Sequence, residues 1–129
     1  MKKHLSYIPA FLLFFLFSSA FAQSAPQNPG EAEFKVLGNC GMCKDRIEKA
    51  AYTVRGVRNA TWDQKTKMFK VSFRPDRTNQ EEIERAIAKA GHDTENFLTD
   101  DKTHANLHHC CVYERNPDWL KKNKRHNEK

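Results

Sequence analysis

The stretch GNCGMCKDRIE, residues 38–48, decides the fold, because it places two cysteines on a loop that runs directly into a predicted helix. Cys40 and Cys43 are separated by two residues, so a single turn of the loop can point both thiols at one centre. Cys43 stands at the predicted helix start, where unpaired backbone N–H groups and the positive end of the helix dipole favour a thiolate. Two thiolates form a soft ligand set, suited to Cu(I), Zn(II) or a similar ion.

A short strand and an amphipathic helix flank this loop. Residues 33–37 alternate between charged and apolar side chains, which predicts a strand with one buried face. Residues 43–54 carry apolar side chains at helical spacing, and Gly56 follows as a stop signal. The predicted apolar stripe of this helix consists of Ile47, Ala50, Ala51 and Val54.

Residues 57–98 predict two further strands, a second helix and a last strand. Residues 57–63 and 68–73 predict two further strands joined by a hairpin loop. The sequence TNQE, residues 78–81, is typical of a capping box in which Thr78 caps a second helix. That helix ends before Gly91, a residue suited to a left-handed cap, and a polar fourth strand is expected at residues 93–98.

The order of these elements is strand, helix, strand, strand, helix, strand. It matches a split βαβ arrangement, because each helix is an amphipathic crossover between strands. The sequence therefore predicts an α+β fold, a ferredoxin-like βαββαβ sandwich. We expect a four-stranded antiparallel sheet with two helices on one face.

The first residues indicate export. Residues 1–22 combine a basic start, an apolar run and a terminal Ala-Phe-Ala, which is typical of a cleaved secretory signal peptide. We therefore expect export across the inner membrane to the periplasm, with no membrane span after signal removal. Residues 23–31 are a predicted flexible linker, residues 32–99 the folded domain, and residues 100–129 a charged tail that contains histidine and cysteine.

Composition argues against several other functions. The chain has 129 residues and a net charge of +6, with 22 basic and 16 acidic residues interspersed. No long basic run is interleaved with aromatic residues, so we expect no nucleic-acid partner. No phosphate-binding loop or hydrolytic constellation stands out, and the sequence predicts a binding protein and not an enzyme.

The order and spacing of several motifs carry a family resemblance. Residues 32–97 contain the strand–CxxC–helix unit, then Gly56-Val57 after the first helix and Ala90-Gly91-His92 after the second. In this the chain resembles the heavy-metal-associated domain family, which includes copper chaperones, N-terminal regions of metal-pumping ATPases and periplasmic mercury-binding proteins. An exported member most resembles the periplasmic metal-binding branch.

The resemblance implies a function for the two cysteines of the loop. It implies that Cys40 and Cys43 are the metal ligands, and that the ion passes by ligand exchange to a partner. Such a partner would be a membrane metal transporter or another metal-binding domain. The family usually has methionine two positions before the first cysteine, whereas this chain has Gly38 there.

His92 follows Gly91 in a loop that the expected fold places beside the CxxC loop. One hypothesis is that His92 is a third metal ligand or tunes the thiolates. The alternative is an ordinary surface histidine, because nothing else in the local sequence marks the residue as functional.

The tail contains a second group of potential ligands, because thiol and imidazole groups together suit copper or zinc. One interpretation is that this group supplies extra ligands, either closing over Cys40 and Cys43 or forming a second cluster. Export also permits a disulfide between the two cysteine pairs, and the third alternative is a solvated tail with spare thiols. The group consists of His104, His108, His109, Cys110 and Cys111.

Three functions follow from these observations. The favoured one is an exported soft-metal carrier or scavenger. Two thiolates suit the linear geometry of Cu(I), which is preferred, or of Hg(II). Zn(II) is also an alternative, but it would want four ligands, which the tail could supply. The second is a periplasmic thiol–disulfide oxidoreductase that uses the same CxxC motif. The third is a small interaction module whose cysteines form disulfides.

Overall fold

The backbone from residue 29 to residue 127 is described by a computed structural model, with side chains described as far as residue 123. The predicted signal peptide, residues 1–22, and most of the predicted linker lie outside the described residues. In the described part of the chain, no helix has both the length and the apolar character needed to cross a membrane.

Three antiparallel strands form the sheet, in the spatial order β1-β3-β2. The strands are β1 (Gly30–Lys35), β2 (Val57–Trp62) and β3 (Met68–Phe73). Strand β3 lies at the centre, and its Phe69 pairs with Phe34 on one side and Trp62 on the other. The bounds predicted for β3 agree with those observed, because its alternating apolar residues are buried on one face.

Two helices complete the domain and pack against each other. They are α1 (Gly41–Tyr52) and α2 (Gln80–Lys89). Their apolar stripes join the buried face of the sheet in one hydrophobic core, as the amphipathic spacing predicts. The largest apolar side chains that are fully buried in this core are Trp62, Phe34, Phe69, Ile47, Ile83 and Ile87.

The predicted fourth strand at residues 93–98 is not formed. Among the described residues, a single isolated bridge, between Val36 and Thr94, extends the sheet in this direction. The chain turns away at once, because the Thr94 N–H donates to the carbonyl of Phe97 at 2.8 Å. The hydroxyl of Thr94 and the amide of Asn96 also donate to the buried carboxylate of Glu84. These local bonds satisfy polar groups that a strand would have left facing the core.

The helix starts also differ from the predictions. Helix α1 begins at Gly41 with Cys40 as its N-cap residue, so Cys43 lies within the first turn and not at the start. Helix α2 is capped by Asn79, whose side chain accepts a hydrogen bond from the N–H of Glu82. Asn and Thr are both good N-caps, and the Thr78 hydroxyl donates instead to the Glu82 carboxylate.

The tail is folded onto the domain. It contains helix α3 (Asp101–Ala105), a short 3-10 turn (His109–Cys111) and helix α4 (Pro117–Asn127). Asn116 caps α4, since its side-chain oxygen accepts from two backbone N–H groups. Part of the predicted charged tail is therefore helical, since α4 continues to Asn127.

Candidate metal centre

Four cysteine sulfurs lie together where the start of α1 meets the tail. The Cys40 sulfur is 3.6 Å from that of Cys43, 3.0 Å from that of Cys110 and 3.7 Å from that of Cys111. The sulfurs of Cys110 and Cys111 are 3.9 Å apart. Cys110 and Cys111 are adjacent in sequence, and the 3-10 turn points both sulfurs toward Cys40.

The CxxC loop is closely packed beneath this cluster. Cys43 is fully buried, and its sulfur accepts a hydrogen bond from the N–H of Asn39 at 3.2 Å. A Cβ atom at Gly38 would lie 3.0 Å from the Cβ of Cys43 and 3.1 Å from the Trp62 ring. Glycine at this position, where the related family usually has methionine, therefore lets the loop pass close to the core.

The surroundings of Cys40 favour its thiolate. A hydrogen bond from Cys110 lowers the pKa of Cys40 to about 7, and the backbone N–H of Cys43 contributes in the same direction. A thiol with this pKa is substantially ionised at neutral pH, which is the form that binds metal. Cys40 is half-buried, whereas Cys43 is fully buried.

The surroundings of the two tail cysteines favour the protonated thiol. The hydrogen bond with Cys40 raises the pKa of Cys110, and burial raises the pKa of Cys111 still further, with Cys43 contributing. Of Cys40, Cys110 and Cys111, Cys40 is therefore the one whose thiolate the surroundings favour. The Met42 sulfur lies 3.6 Å from the Cys110 sulfur on the exposed side and adds a soft atom to the rim.

The structure brings the cysteines together but not the histidines of the tail. In the described residues, the one group of three or more potential ligand atoms within 4.8 Å of one another is Cys40, Cys110 and Cys111. The rings of His108 and His109 are exposed and pack against each other, with centroids 4.1 Å apart. His104 instead donates from Nε2 to the carbonyl of Tyr113 at 3.0 Å.

His92 is fully buried, so the alternative of a surface histidine is wrong. Its Nδ1 hydrogen bonds to the carbonyl of Leu37 at 2.8 Å, and its ring stacks on Tyr113 with a centroid distance of 5.7 Å. Burial lowers the pKa of His92 to about 4, so the ring is neutral at pH 7. Nε2 has no hydrogen-bond partner among the described residues. His92 is not part of the sulfur cluster, and its role as a ligand stays a prediction.

The residues that hold the tail against the domain were not identified from the sequence. Arg115 donates to both carboxylate oxygens of Asp93, at 2.7 and 2.8 Å, and to the carbonyl of Thr99. The Tyr113 hydroxyl donates to the carbonyl of Gly91 and accepts from the N–H of Asp93. No local pattern marks these residues, because the partners lie about twenty positions apart in an irregular segment.

This geometry defines a small α+β domain with a thiol-lined cluster at a helix start, and comparison with known proteins identifies the domain. Residues 39–93 match the family described as "Heavy-metal-associated domain". The resemblance to this family that the motifs indicated is therefore confirmed over residues 39–93.

A curated relative and two solved structures each align with about half of this chain. A copper-exporting P-type ATPase of Staphylococcus aureus is 37% identical over 62 residues, which are 47% of this chain and 8% of that protein. The structure of the water-soluble region of the P-type ATPase CopA from Bacillus subtilis aligns with 29% identity and a TM-score of 0.50, covering 53% of this chain and 46% of that one. Oxidized MerP from Ralstonia metallidurans CH34 aligns with 25% identity and a TM-score of 0.49, covering 52% and 94%. The chain thus spans less than a tenth of the curated relatives that it matches.

Proposed function

We propose that this protein is an exported carrier or scavenger of a soft metal ion, which it holds on the thiolates of Cys40 and Cys43. The single observation that supports this most directly is the convergence of the two sulfurs, 3.6 Å apart, at the start of α1. Asn39 donates to the Cys43 sulfur, and the hydrogen bond from Cys110 lowers the pKa of Cys40. Sulfur ligands select soft ions, and we propose Cu(I) as the cargo, with Hg(II) and Zn(II) as alternatives.

The test is a Cu(I) titration of the reduced chain from Gln23 onward against a competing chelator, since this chain contains every residue that the structure describes. We expect tight binding of one ion. The double variant Cys40→Ser/Cys43→Ser should not compete for Cu(I), while its far-ultraviolet circular dichroism should match that of the unchanged chain. Failure of the unchanged, reduced chain to take Cu(I) from the chelator would refute copper as the cargo.

We further propose that the protein acts after export to the periplasm and delivers its ion to a membrane metal transporter or another metal-binding domain. The sequence of residues 1–22 supports export, and the heavy-metal-associated domain supports exchange with a thiolate partner. Cell fractionation with and without residues 1–22 tests the first point. Retention of the complete chain in the cytoplasm would refute it.

A thiol–disulfide oxidoreductase is the second candidate function. The lowered pKa of Cys40 favours it, because exchange chemistry needs a thiolate close to neutral pH. Reduction of insulin by the reduced chain, measured beside the Cys40→Ser variant, distinguishes this candidate from the carrier. Turnover in the unchanged chain alone would establish the enzyme.

A further inference from the structure

We propose that Cys110 and Cys111 bind the same ion as Cys40 and Cys43, so that the folded tail closes the site with a second pair of thiolates. This inference rests on the proposed function and adds the ligand set to it. The ion would be a soft ion such as Cu(I), held by three or four sulfurs instead of two. The tail would then be part of the metal centre and not an appendage.

The distances between the sulfurs support a shared ion. Sulfurs about 2.3 Å from a tetrahedral ion lie about 3.8 Å apart, whereas two sulfurs on opposite sides of a linear ion lie about 4.6 Å apart. The separations of Cys40 from Cys43 and Cys111, and of Cys110 from Cys111, are 3.6, 3.7 and 3.9 Å. These three values fit edges of a tetrahedron. Cys43 lies outside the group of three sulfurs, Cys40, Cys110 and Cys111, that are within 4.8 Å of one another, so binding of one ion by all four would draw Cys43 and the tail sulfurs closer. The 3.0 Å between Cys40 and Cys110 is shorter, and binding would widen this pair.

The position of the tail cysteines is held on both sides by specific contacts. Before the pair, Leu107 is buried in the core of the domain. After it, the side-chain amide of Asn39, on the CxxC loop itself, donates to the carbonyl of Val112 at 3.1 Å. Tyr113 and Arg115 then anchor the following residues to the segment around Asp93. The cluster of sulfurs is therefore a consequence of the packing of the whole tail.

Closure by the tail also changes the exposure of the site. Cys43 and Cys111 are fully buried, and Cys40 and Cys110 are half-buried. An ion bound by all four would be enclosed between the start of α1 and the 3-10 turn. Release to a partner would then require the tail to lift, which favours slow release over rapid exchange.

The first experiment compares the affinity of three chains for Cu(I), each reduced and starting at Gln23, against a chelator. Loss of a residue that only orients a metal ligand already costs about ten- to a hundredfold in affinity. We therefore expect Cys110→Ser/Cys111→Ser to weaken binding by more than about a hundredfold while keeping one equivalent. The matched control His108→Ala/His109→Ala changes the adjacent exposed residues and should bind as the unchanged chain does.

Because Cys111 is buried, its replacement could disturb folding, and two measurements avoid this problem. The single variant Cys110→Ser changes only a half-buried side chain and should also bind more weakly. X-ray absorption spectroscopy of the unchanged chain loaded with Cu(I) needs no variant. It should count three or four sulfur neighbours of the ion.

The outcomes separate this inference from the proposed function. If the unchanged chain binds Cu(I) with two sulfur neighbours, and Cys110→Ser binds equally well, the carrier function stands and the shared site is refuted. An equivalent of Cu(I) that survives in Cys40→Ser/Cys43→Ser would show a separate tail site and would also refute it. No binding by the unchanged chain would overturn the proposed function itself.

Discussion

Arg115 in the tail forms a bidentate ion pair with Asp93, with its Nε and Nη2 atoms 2.7 and 2.8 Å from the two carboxylate oxygens. The Asp93 side chain is 1% exposed and that of Arg115 is 12% exposed, so the pair is shielded from solvent. Asp93 also accepts from the N–H of Thr99, and Arg115 donates to Asp101 at the start of α3. The Arg115 guanidinium thus connects its own segment of the tail both to Asp93 in the domain and to the start of α3.

Replacement of Arg115 by alanine should lower the free energy of unfolding by about 3 kcal/mol, because removing one partner leaves a buried carboxylate unpaired. Urea denaturation of the metal-free, reduced chain measures this value. The matched control is Arg85→Ala, which breaks an exposed pair with Glu81 and should cost less than about 1 kcal/mol. Equal losses in the two variants would contradict the role given to the buried pair.

The same replacement should expose the tail cysteines. Cys111 is fully buried, so it can be alkylated only when the tail opens, and Arg115→Ala should raise its rate of alkylation by iodoacetamide. Mass spectrometry of the digested protein follows this rate residue by residue. An unchanged rate at Cys111 would show that other contacts hold the 3-10 turn in place.

His92 should make the stability of the domain depend on pH between about 4 and 6.5. Its pKa is about 4 in the folded protein and about 6.5 in an unfolded chain, so the unfolded chain binds more protons in this range. The free energy of unfolding therefore rises with pH through this range, and the contribution of His92 is complete above about pH 6.5. The total effect is about 3 kcal/mol at most.

Denaturation curves of the metal-free, reduced chain at several pH values test this prediction. In His92→Phe, which cannot titrate, the rise between pH 4 and 6.5 should become shallower than in the unchanged chain. The exposed His108 supplies the control, since His108→Ala should keep the original slope. A slope that persists in His92→Phe would mean that other groups cause it.

Gly91 should not tolerate a side chain. Its φ of +109° lies in a region that favours glycine, and an added Cβ would lie 2.6 Å from Cδ2 of Leu107 in the tail. We expect Gly91→Ala to lower the free energy of unfolding by about 1–3 kcal/mol. Gly41→Ala is the matched control, because a Cβ there meets nothing within 4 Å and alanine favours the helix. A neutral Gly91→Ala would contradict the close packing of Leu107.

Oxidation should link the CxxC loop to the tail through a disulfide. Diamide removes one hydrogen from each of two thiols as their sulfurs form a bond, and Cys40 and Cys110 have the closest sulfurs, at 3.0 Å. We expect this pair to form the first disulfide, to abolish Cu(I) binding and to be reversed by dithiothreitol. Peptide mapping of the alkylated protein identifies the pair. A first disulfide between Cys40 and Cys43 would contradict the prediction.

The elements with strong local signals could be predicted from the sequence. The alternation of apolar residues in β3 and the helical spacing of Ile83 and Ile87 in α2 depend on neighbours a few positions away, and both elements are observed. The fourth strand, expected at residues 93–98, is not decided by such local spacing. Its outcome depends on the buried carboxylate of Glu84, which binds Thr94 and Asn96 and turns the chain away from the sheet.

The sequence by itself determined the CxxC pair, the helix that begins at it and the type of domain, because these follow from spacing over a few residues. Only the tertiary structure decided that the tail cysteines lie against Cys40, 70 residues away in the case of Cys110. That contact depends on Leu107 filling a space beside Gly91 and on Arg115 neutralising a buried Asp93. Such long-range packing and charge pairing leave no periodic pattern in the sequence, so local patterns could not establish that the tail cysteines lie beside Cys40.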